Sequence, residues 1–187
     1  MGQRLFAAVT LPPDVVDELE RWVDPRRDDA WRWARSSDWH VTLAFYGDVE
    51  PWRYEPLVEG LTEAALRTRP FALALDGVGC FGSVDKARVL YAGVVDPDGV
   101  LPRLAASSRT AATTVGIEVA RQKYQPHVTL ARRNRASDAA RHVRALGELR
   151  TRSWHVSEFV LVESFLGQGP RGTARHEVRE HFPLAPG

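Results

Sequence analysis

The chain has 187 residues, of which 44% are hydrophobic and 26% are charged, and this composition is ordinary for a folded globular protein. The formal net charge of +1 excludes a globally basic protein, so any contact with nucleic acid has to come from a local basic patch. Cys80 is the only cysteine, which excludes an intramolecular disulfide and a zinc site built from cysteines.

The N-terminal residues predict a strand followed by a helix. Arg4 to Leu11 is apolar on both faces, which is typical of a central strand, and Asp14 to Val23 carries apolar side chains at helical spacing. The apolar run near the N-terminus is too short for a signal peptide or a membrane span, and Phe6 stands where a myristoylation signal has Ser or Thr. We therefore expect a cytoplasmic protein with no membrane association.

A series of strands and helices follows an extended segment at Trp31 and Trp33, whose indoles we expect to pack rather than to bind a ligand. Strands are predicted at 39–46, 71–78, 87–95, 127–132, 154–165 and 175–182, and helices at 51–67, 101–115 and 138–149, the last with Ser137 as its N-cap. The strand pairs 71–78 with 87–95 and 154–165 with 175–182 are typical of antiparallel hairpins. These hairpins favour an α+β fold with two lobes built on antiparallel sheets.

The sequence HVTLA occurs twice, at residues 40–44 and 127–131, which indicates one element in each half of a duplicated fold. Val, Thr and Leu after His predict a strand, and side chains alternate along a strand. His40 and Thr42 therefore share one face, as do His127 and Thr129, while the Val and Leu residues point to the core. Two such strands beside a shared cleft would present two imidazoles and two hydroxyls to it.

Two histidines suit a reaction that needs one base and one acid near neutral pH, because imidazole titrates there. A threonine hydroxyl two residues further on can hydrogen-bond an anionic oxygen. The alternative is that each His and each Thr only serves its strand, and the repetition of the motif argues against it. This chemistry requires no metal, and neither motif is flanked by a carboxylate at metal-ligand spacing.

The paired His-x-Thr-x motifs resemble those of the 2H phosphoesterase superfamily. The flanking sequences RWARSSDWHVTLAFYGDV, QPHVTLARR and VSEFVLVESFLGQGP resemble the bacterial RNA 2′,3′-cyclic phosphodiesterase family, formerly called 2′-5′ RNA ligases, over nearly the whole chain. The resemblance implies one bilobal domain over residues 1–187, in which two pseudo-symmetric lobes with outer helices enclose a central cleft that holds both motifs.

The resemblance also implies an activity, namely metal-independent and cofactor-free hydrolysis of RNA or nucleotide 2′,3′-cyclic phosphates to 2′-phosphomonoesters. Carried over by motif position, His40 is the proton donor, His127 is the proton acceptor, and Thr42 and Thr129 hold the non-bridging phosphate oxygens. The residue types themselves do not separate the roles of the two histidines.

Further candidates for substrate binding lie beside the motifs. Arg132 has the planar fork that pairs with phosphate, although its odd offset from His127 puts it on the opposite face of a regular strand. Tyr46 and Tyr124 are candidates for stacking on a base, with Phe45 as the competing choice. The remaining histidines lack the His-x-Thr context and are predicted to be surface or structural residues: His142, His155, His176 and His181.

Two other interpretations stay open from the sequence. The first is a sibling activity of the same superfamily, which means another cyclic phosphate substrate or 2′-5′ RNA end joining. The second is a non-catalytic RNA-binding module, which would not need both histidines and both threonines. The expected partners are RNA ends or nucleotides that carry a 2′,3′-cyclic phosphate, and no obligate protein partner is evident.

Overall fold

The computed structural model describes residues 2–120 and 123–186, and within them the chain forms nine strands and four helices. The strands are β1 Gln3–Thr10, β2 Arg32–Trp33, β3 His40–Val49, β4 Phe71–Phe81, β5 Ala87–Val95, β6 His127–Ser137, β7 Trp154–Val156, β8 Glu158–Phe165 and β9 Arg175–Pro183. The helices are α1 Pro13–Val23, α2 Pro51–Leu66, α3 Val100–Thr114 and α4 Ala140–Leu146. In the described residues, no helix has both the length and the apolar character needed to cross a membrane.

The strands form one antiparallel sheet in the order β7-β4-β5-β6-β3-β1-β8-β9, with β2 paired to β6. The two motif strands, β3 and β6, lie at its centre and pair with each other through Val41 and Val128. On either side stand three further strands, β1, β8 and β9 beside β3, and β5, β4 and β7 beside β6. This arrangement confirms the predicted α+β fold with antiparallel strands in two related halves.

Apolar side chains fix which face of each motif strand looks inward. Val41, Leu43, Val128 and Leu130 are almost completely buried in the core that the helices cover. Full burial of such a side chain contributes roughly 1.5–3 kcal/mol, and a one-residue slip in register would turn each of them toward solvent. The packing of the core therefore holds the histidines and threonines on the opposite face.

The prediction of one long strand over residues 154–165 is wrong. Trp154–Val156 pairs with β4 at one end of the sheet, whereas Glu158–Phe165 pairs with β1 and β9 in the other half. Only Ser157 separates the two strands in the chain, and its carbonyl oxygen accepts a hydrogen bond from the backbone N–H of Leu184. Because neighbours in the chain lie far apart in the strand order, the sheet has to curl until its ends approach each other.

The predicted N-cap at Ser137 is also wrong, because β6 continues through Ser137, which pairs with Ala87. The following helix is shorter than predicted and spans Ala140–Leu146. The N-cap position is Ala139, which offers no side-chain oxygen, and the Asp138 carboxylate accepts a hydrogen bond from the backbone N–H of Ala140 instead.

Candidate active site

The register of the motif strands brings all four polar side chains together. Because Val41 faces Val128 in an antiparallel pair, His40 lies across from Thr129, and Thr42 lies across from His127. All four side chains line one cavity of about 990 Å³, which is the shared cleft expected from the strand alternation. Each half of the sheet thus contributes one imidazole and one hydroxyl to the same space.

A β-bulge interrupts each motif strand at the same point. On β6, Thr129 pairs with Tyr91 and Ala131 with Leu90, so that Leu130 is an extra residue. On β3, Leu43 is the corresponding extra residue between the pairs of Thr42 and Ala44. A bulge shifts the side-chain alternation by one residue. Residues that follow the bulge can therefore face the cleft even where a regular strand would turn them away from it.

The bulge brings Arg132 to the cleft despite its odd offset from His127. The guanidinium lines the cavity, and its Nη2 lies 3.4 Å from the Thr129 hydroxyl oxygen, as the donor of a long hydrogen bond. The Thr129 O–H remains available to donate to a ligand oxygen. A permanently charged fork beside a hydroxyl is a favourable arrangement for binding a phosphate group.

The same shift in alternation removes Tyr46 from the cleft, and the prediction that it contacts substrate is wrong. Tyr46 is only 3% exposed, and its hydroxyl donates to the backbone carbonyl of Ser108 in helix α3. Tyr124 is partly buried against the core, and its hydroxyl donates to the backbone carbonyl of Thr42. Tyr124 does not line the cavity, so it supports the first motif strand and does not offer a stacking surface to a ligand. Phe45, the competing choice, is 43% exposed and stacks on Phe6.

Both motif histidines are oriented by the same contact. The Nδ1 of His40 lies 2.7 Å from the backbone carbonyl oxygen of Asp38, and the Nδ1 of His127 lies 2.7 Å from that of Gln125. A carbonyl oxygen can only accept a hydrogen bond, so Nδ1 carries the proton in each ring. Nε2 is thereby left free in both rings, as an acceptor when the imidazole is neutral and as a donor when it is protonated.

Burial disfavours the charged form of both motif histidines. It lowers the pKa of His40 to about 4, an effect opposed by the hydrogen bond to the Asp38 carbonyl and reinforced by the nearby His176 and His127. Burial also lowers the pKa of His127, and the charge of Arg132 lowers it further. An anion bound between the rings would act in the opposite direction, because it favours the charged form of each imidazole.

Aromatic rings flank each motif histidine in a similar way. His40 lies 4.9 Å from Phe6 and 5.9 Å from His176, between ring centroids. His127 lies 5.5 Å from Tyr91 and 4.7 Å from Phe81. These rings restrict the orientation of the two imidazoles and remove part of their surface from water.

His176 is the residue of the cleft that sequence reasoning missed, since it was predicted to be a surface or structural histidine. It stands on β9, at the far side of the sheet from β6, yet it lines the cavity beside His40. No local motif marks it, because its position depends on the curl of the sheet. The other three histidines agree with the prediction: His142 is buried with Asp28 as its partner, and His155 and His181 are exposed.

One wall of the cavity comes from the segment that precedes the first motif. Trp33 is held by a hydrogen bond from its Nε1 to the backbone carbonyl of Asp28, and Trp31 is buried. Arg35 pairs with Asp38 at 2.8 Å, which places a neutralised ion pair next to His40. Among residues 2–120 and 123–186, His, Cys, Asp and Glu side chains do not form a group of three or more that could hold a metal ion.

Comparison with known proteins identifies the class to which this fold and cleft belong. The sequence profile of the 2′-5′ RNA ligase superfamily matches residues 11–166. The chain therefore belongs to this superfamily, whose members are 2H phosphoesterases.

Individual relatives extend the match. The chain is 33% identical over 183 residues to an RNA 2′,3′-cyclic phosphodiesterase of Geobacillus stearothermophilus. The aligned region covers 96% of this chain and 56% of that relative. It is 32% identical over 148 residues to an RNA 2′,3′-cyclic phosphodiesterase of Aeropyrum pernix, and the aligned region covers 76% of this chain and 82% of that relative. The crystal structure of Escherichia coli LigT complexed with 3′-AMP is similar with a TM-score of 0.81 at 28% identity, over 98% of this chain and 99% of that chain.

Proposed function

We propose that this protein hydrolyses the 2′,3′-cyclic phosphate of an RNA end or nucleotide to a 2′-phosphomonoester, with His40 and His127 as its acid and base. The observation that carries the proposal is the symmetric pair of imidazoles, each held through Nδ1 by a backbone carbonyl, with both rings lining one cavity. Relatives named RNA 2′,3′-cyclic phosphodiesterases support the choice of reaction.

The reaction is an in-line displacement at phosphorus. His127, neutral, accepts a proton from water through Nε2 as the water oxygen forms its bond to phosphorus. His40, protonated, donates its Nε2 proton to O3′ of the ribose as the bond between phosphorus and O3′ breaks. The products are a 2′-phosphomonoester and a free 3′-hydroxyl, and the proton gained by His127 replaces the one lost by His40 once the pair has exchanged protons with solvent.

Thr42, Thr129 and Arg132 hold the phosphate during this displacement. The two hydroxyls donate to its non-bridging oxygens, and the guanidinium supplies a fixed positive charge. Donors that are already in place when charge develops stabilise the transition state without reorganisation. The proposed partner is therefore a small, anionic, ribose-linked phosphate, held where the two motif strands meet.

Valine substitution of either motif threonine should weaken but not abolish activity. Thr42→Val or Thr129→Val removes one hydrogen bond to a charged phosphate, which is worth roughly 1.5–3 kcal/mol, or about a 10- to 150-fold loss in kcat/KM. Valine keeps the shape and the strand preference of threonine, so the thermal melting curve should stay close to that of the wild type. A threonine variant as inactive as a histidine variant would contradict a purely phosphate-holding role.

The pH dependence of hydrolysis should be displaced toward acid in the free enzyme. The active form has one imidazole charged and one neutral, so kcat/KM should be bell-shaped in pH, with limbs that belong to the coupled pair. Because burial lowers the pKa of both rings below the ordinary value of 6.5, kcat/KM should fall about tenfold per pH unit above that value.

Substrate binding should move these limbs. The anionic diester favours protonation of the imidazoles, so the alkaline limb of kcat should lie at higher pH than that of kcat/KM. Steady-state kinetics between about pH 4 and pH 9 measure both profiles. Identical limbs in the two profiles would mean that the phosphate does not contact the rings that titrate.

The experiment that tests the proposed function directly uses a defined substrate in the presence of chelator. An RNA oligonucleotide with a 2′,3′-cyclic phosphate end should be converted in EDTA, because the two imidazoles supply both proton transfers. Phosphorus NMR should show a 2′-phosphomonoester as the product. Loss of turnover in EDTA that a divalent ion restores would overturn the mechanism, and a 3′-phosphate product would overturn the assignment of the leaving oxygen.

A further inference from the structure

His176 occupies a defined place against the first motif histidine. Its ring packs edge-on to His40, with centroids 5.9 Å apart and ring planes at 83°, and edge-on to Phe6, with centroids 5.3 Å apart at 84°. It lines the same cavity as His40 and His127. A third imidazole therefore lies in the cleft beside His40, and the two-histidine mechanism assigns it no role.

The other half of the sheet shows what packing alone requires at this place. His127 has a ring packed edge-on against it as well, and that ring is the phenyl group of Phe81, with centroids 4.7 Å apart at 84°. A ring without nitrogen atoms is therefore sufficient to support a motif histidine. The nitrogen atoms of His176 go beyond what support of His40 needs.

The two nitrogen atoms of His176 lie in different surroundings. Among the described residues, Nδ1 has no hydrogen-bond partner and is buried, whereas the ring lines the cavity. Nε2 is therefore the nitrogen available to a ligand. An N–H group buried without an acceptor is rarer than an under-satisfied acceptor, which favours the tautomer with its proton on Nε2. The charged or titratable groups that face the ring are His40, Asp38 and Arg35, and the last two neutralise each other as an ion pair.

We propose that His176 is a further substrate-binding residue, whose Nε2–H donates a hydrogen bond to a phosphate oxygen on the His40 side of the cleft. The proposal rests on the function proposed above, because it takes the phosphate group to lie between the two motif histidines. His176, on β9, then complements Arg132, which approaches the same group from β6. The phosphate would be held from both halves of the sheet.

The test compares three variants on the same strand. His176→Phe puts into this half the ring that the other half carries and removes the donor, whereas His176→Gln keeps an N–H donor. His181→Phe is the matched control, because His181 is an exposed histidine of β9 whose Nδ1 lies 2.9 Å from a Glu158 oxygen. Calorimetry with inorganic phosphate and with a nucleoside 2′-monophosphate gives Kd, and steady-state kinetics on the cyclic phosphate give KM and kcat.

His176→Phe should raise both Kd values and KM by roughly tenfold or more, with kcat within about threefold of the wild type. His176→Gln should recover much of the lost affinity, and His181→Phe should change nothing. His176→Leu, which also lacks a donor, gives the same comparison if the phenyl variant does not fold.

Unchanged Kd in a folded His176→Phe variant would overturn the proposal, as would a loss of kcat at constant KM and Kd. Equal losses in the Phe and Gln variants would assign His176 to packing and overturn it too. A wild-type protein that binds phosphate but does not hydrolyse the cyclic substrate would end the proposed function instead, while the comparison of Kd values would still decide the role of His176.

Discussion

Replacement of His40 or His127 by alanine is expected to lower kcat by about 10²- to 10⁴-fold. Each variant loses one of the two proton transfers that the mechanism needs. His155→Ala is the matched control, because this histidine also lies on a strand but is exposed outside the cavity. Turnover of a 2′,3′-cyclic nucleotide by folded variants, checked by thermal melting, measures the effect.

The double variant should be little worse than either single one. The acid and the base act in one transition state, so that the loss of the second group costs little once the first is gone. Additive losses would indicate that the two histidines act in separate steps. A single variant with more than about a tenth of wild-type kcat would remove that histidine from the proton transfers.

A substrate with a much better leaving group than the ribose O3′ should rescue the His40→Ala variant and not the His127→Ala variant. A nitrophenyl phosphodiester releases an anion that needs no proton, so the general acid becomes dispensable, whereas water still has to be deprotonated. We expect such a substrate to recover about a hundredfold or more of the defect of His40→Ala relative to the wild type. The measurement is kcat/KM for both variants on the ribose and the nitrophenyl substrates.

The outcome of this comparison decides the roles of the two histidines, which the geometry leaves symmetric. Both rings are held by a carbonyl two residues earlier, and burial lowers the pKa of both. Rescue of His127→Ala instead would exchange the acid and the base. Rescue of neither variant would mean that protonation of the leaving oxygen is not what His40 supplies.

The centre of the site could be predicted from sequence because it follows from local rules. Strand alternation alone puts His40 and Thr42 on one face and Val41 on the other, and the repeat applies the same rule to the second strand. The burial of Val41 and Val128 and the shared cavity agree with this prediction. Two short motifs were sufficient because each one encodes a face of its strand.

The rest of the site depends on structural features that no local sequence pattern indicates. The bulges at Leu43 and Leu130 are visible only in the pairing with neighbouring strands. The bulge at Leu43 turns Tyr46 inward, and the bulge at Leu130 brings Arg132 to the cleft. The position of His176 depends on a curl that brings strands of distant sequence together. Such non-local geometry is set by the packing of the whole sheet rather than by the residues around each site.

Histidine-selective ¹⁵N NMR of the protein, with and without a nucleoside 2′-monophosphate, tests the central claim most directly. Both motif imidazoles should show a protonated Nδ1 in the free protein, and both should respond to the nucleotide at Nε2 with a higher pKa, because one phosphate lies between them. The signals are assigned from the His40→Gln and His127→Gln variants. A response of only one motif histidine, or of neither, would contradict a shared phosphate site and with it the two-histidine mechanism.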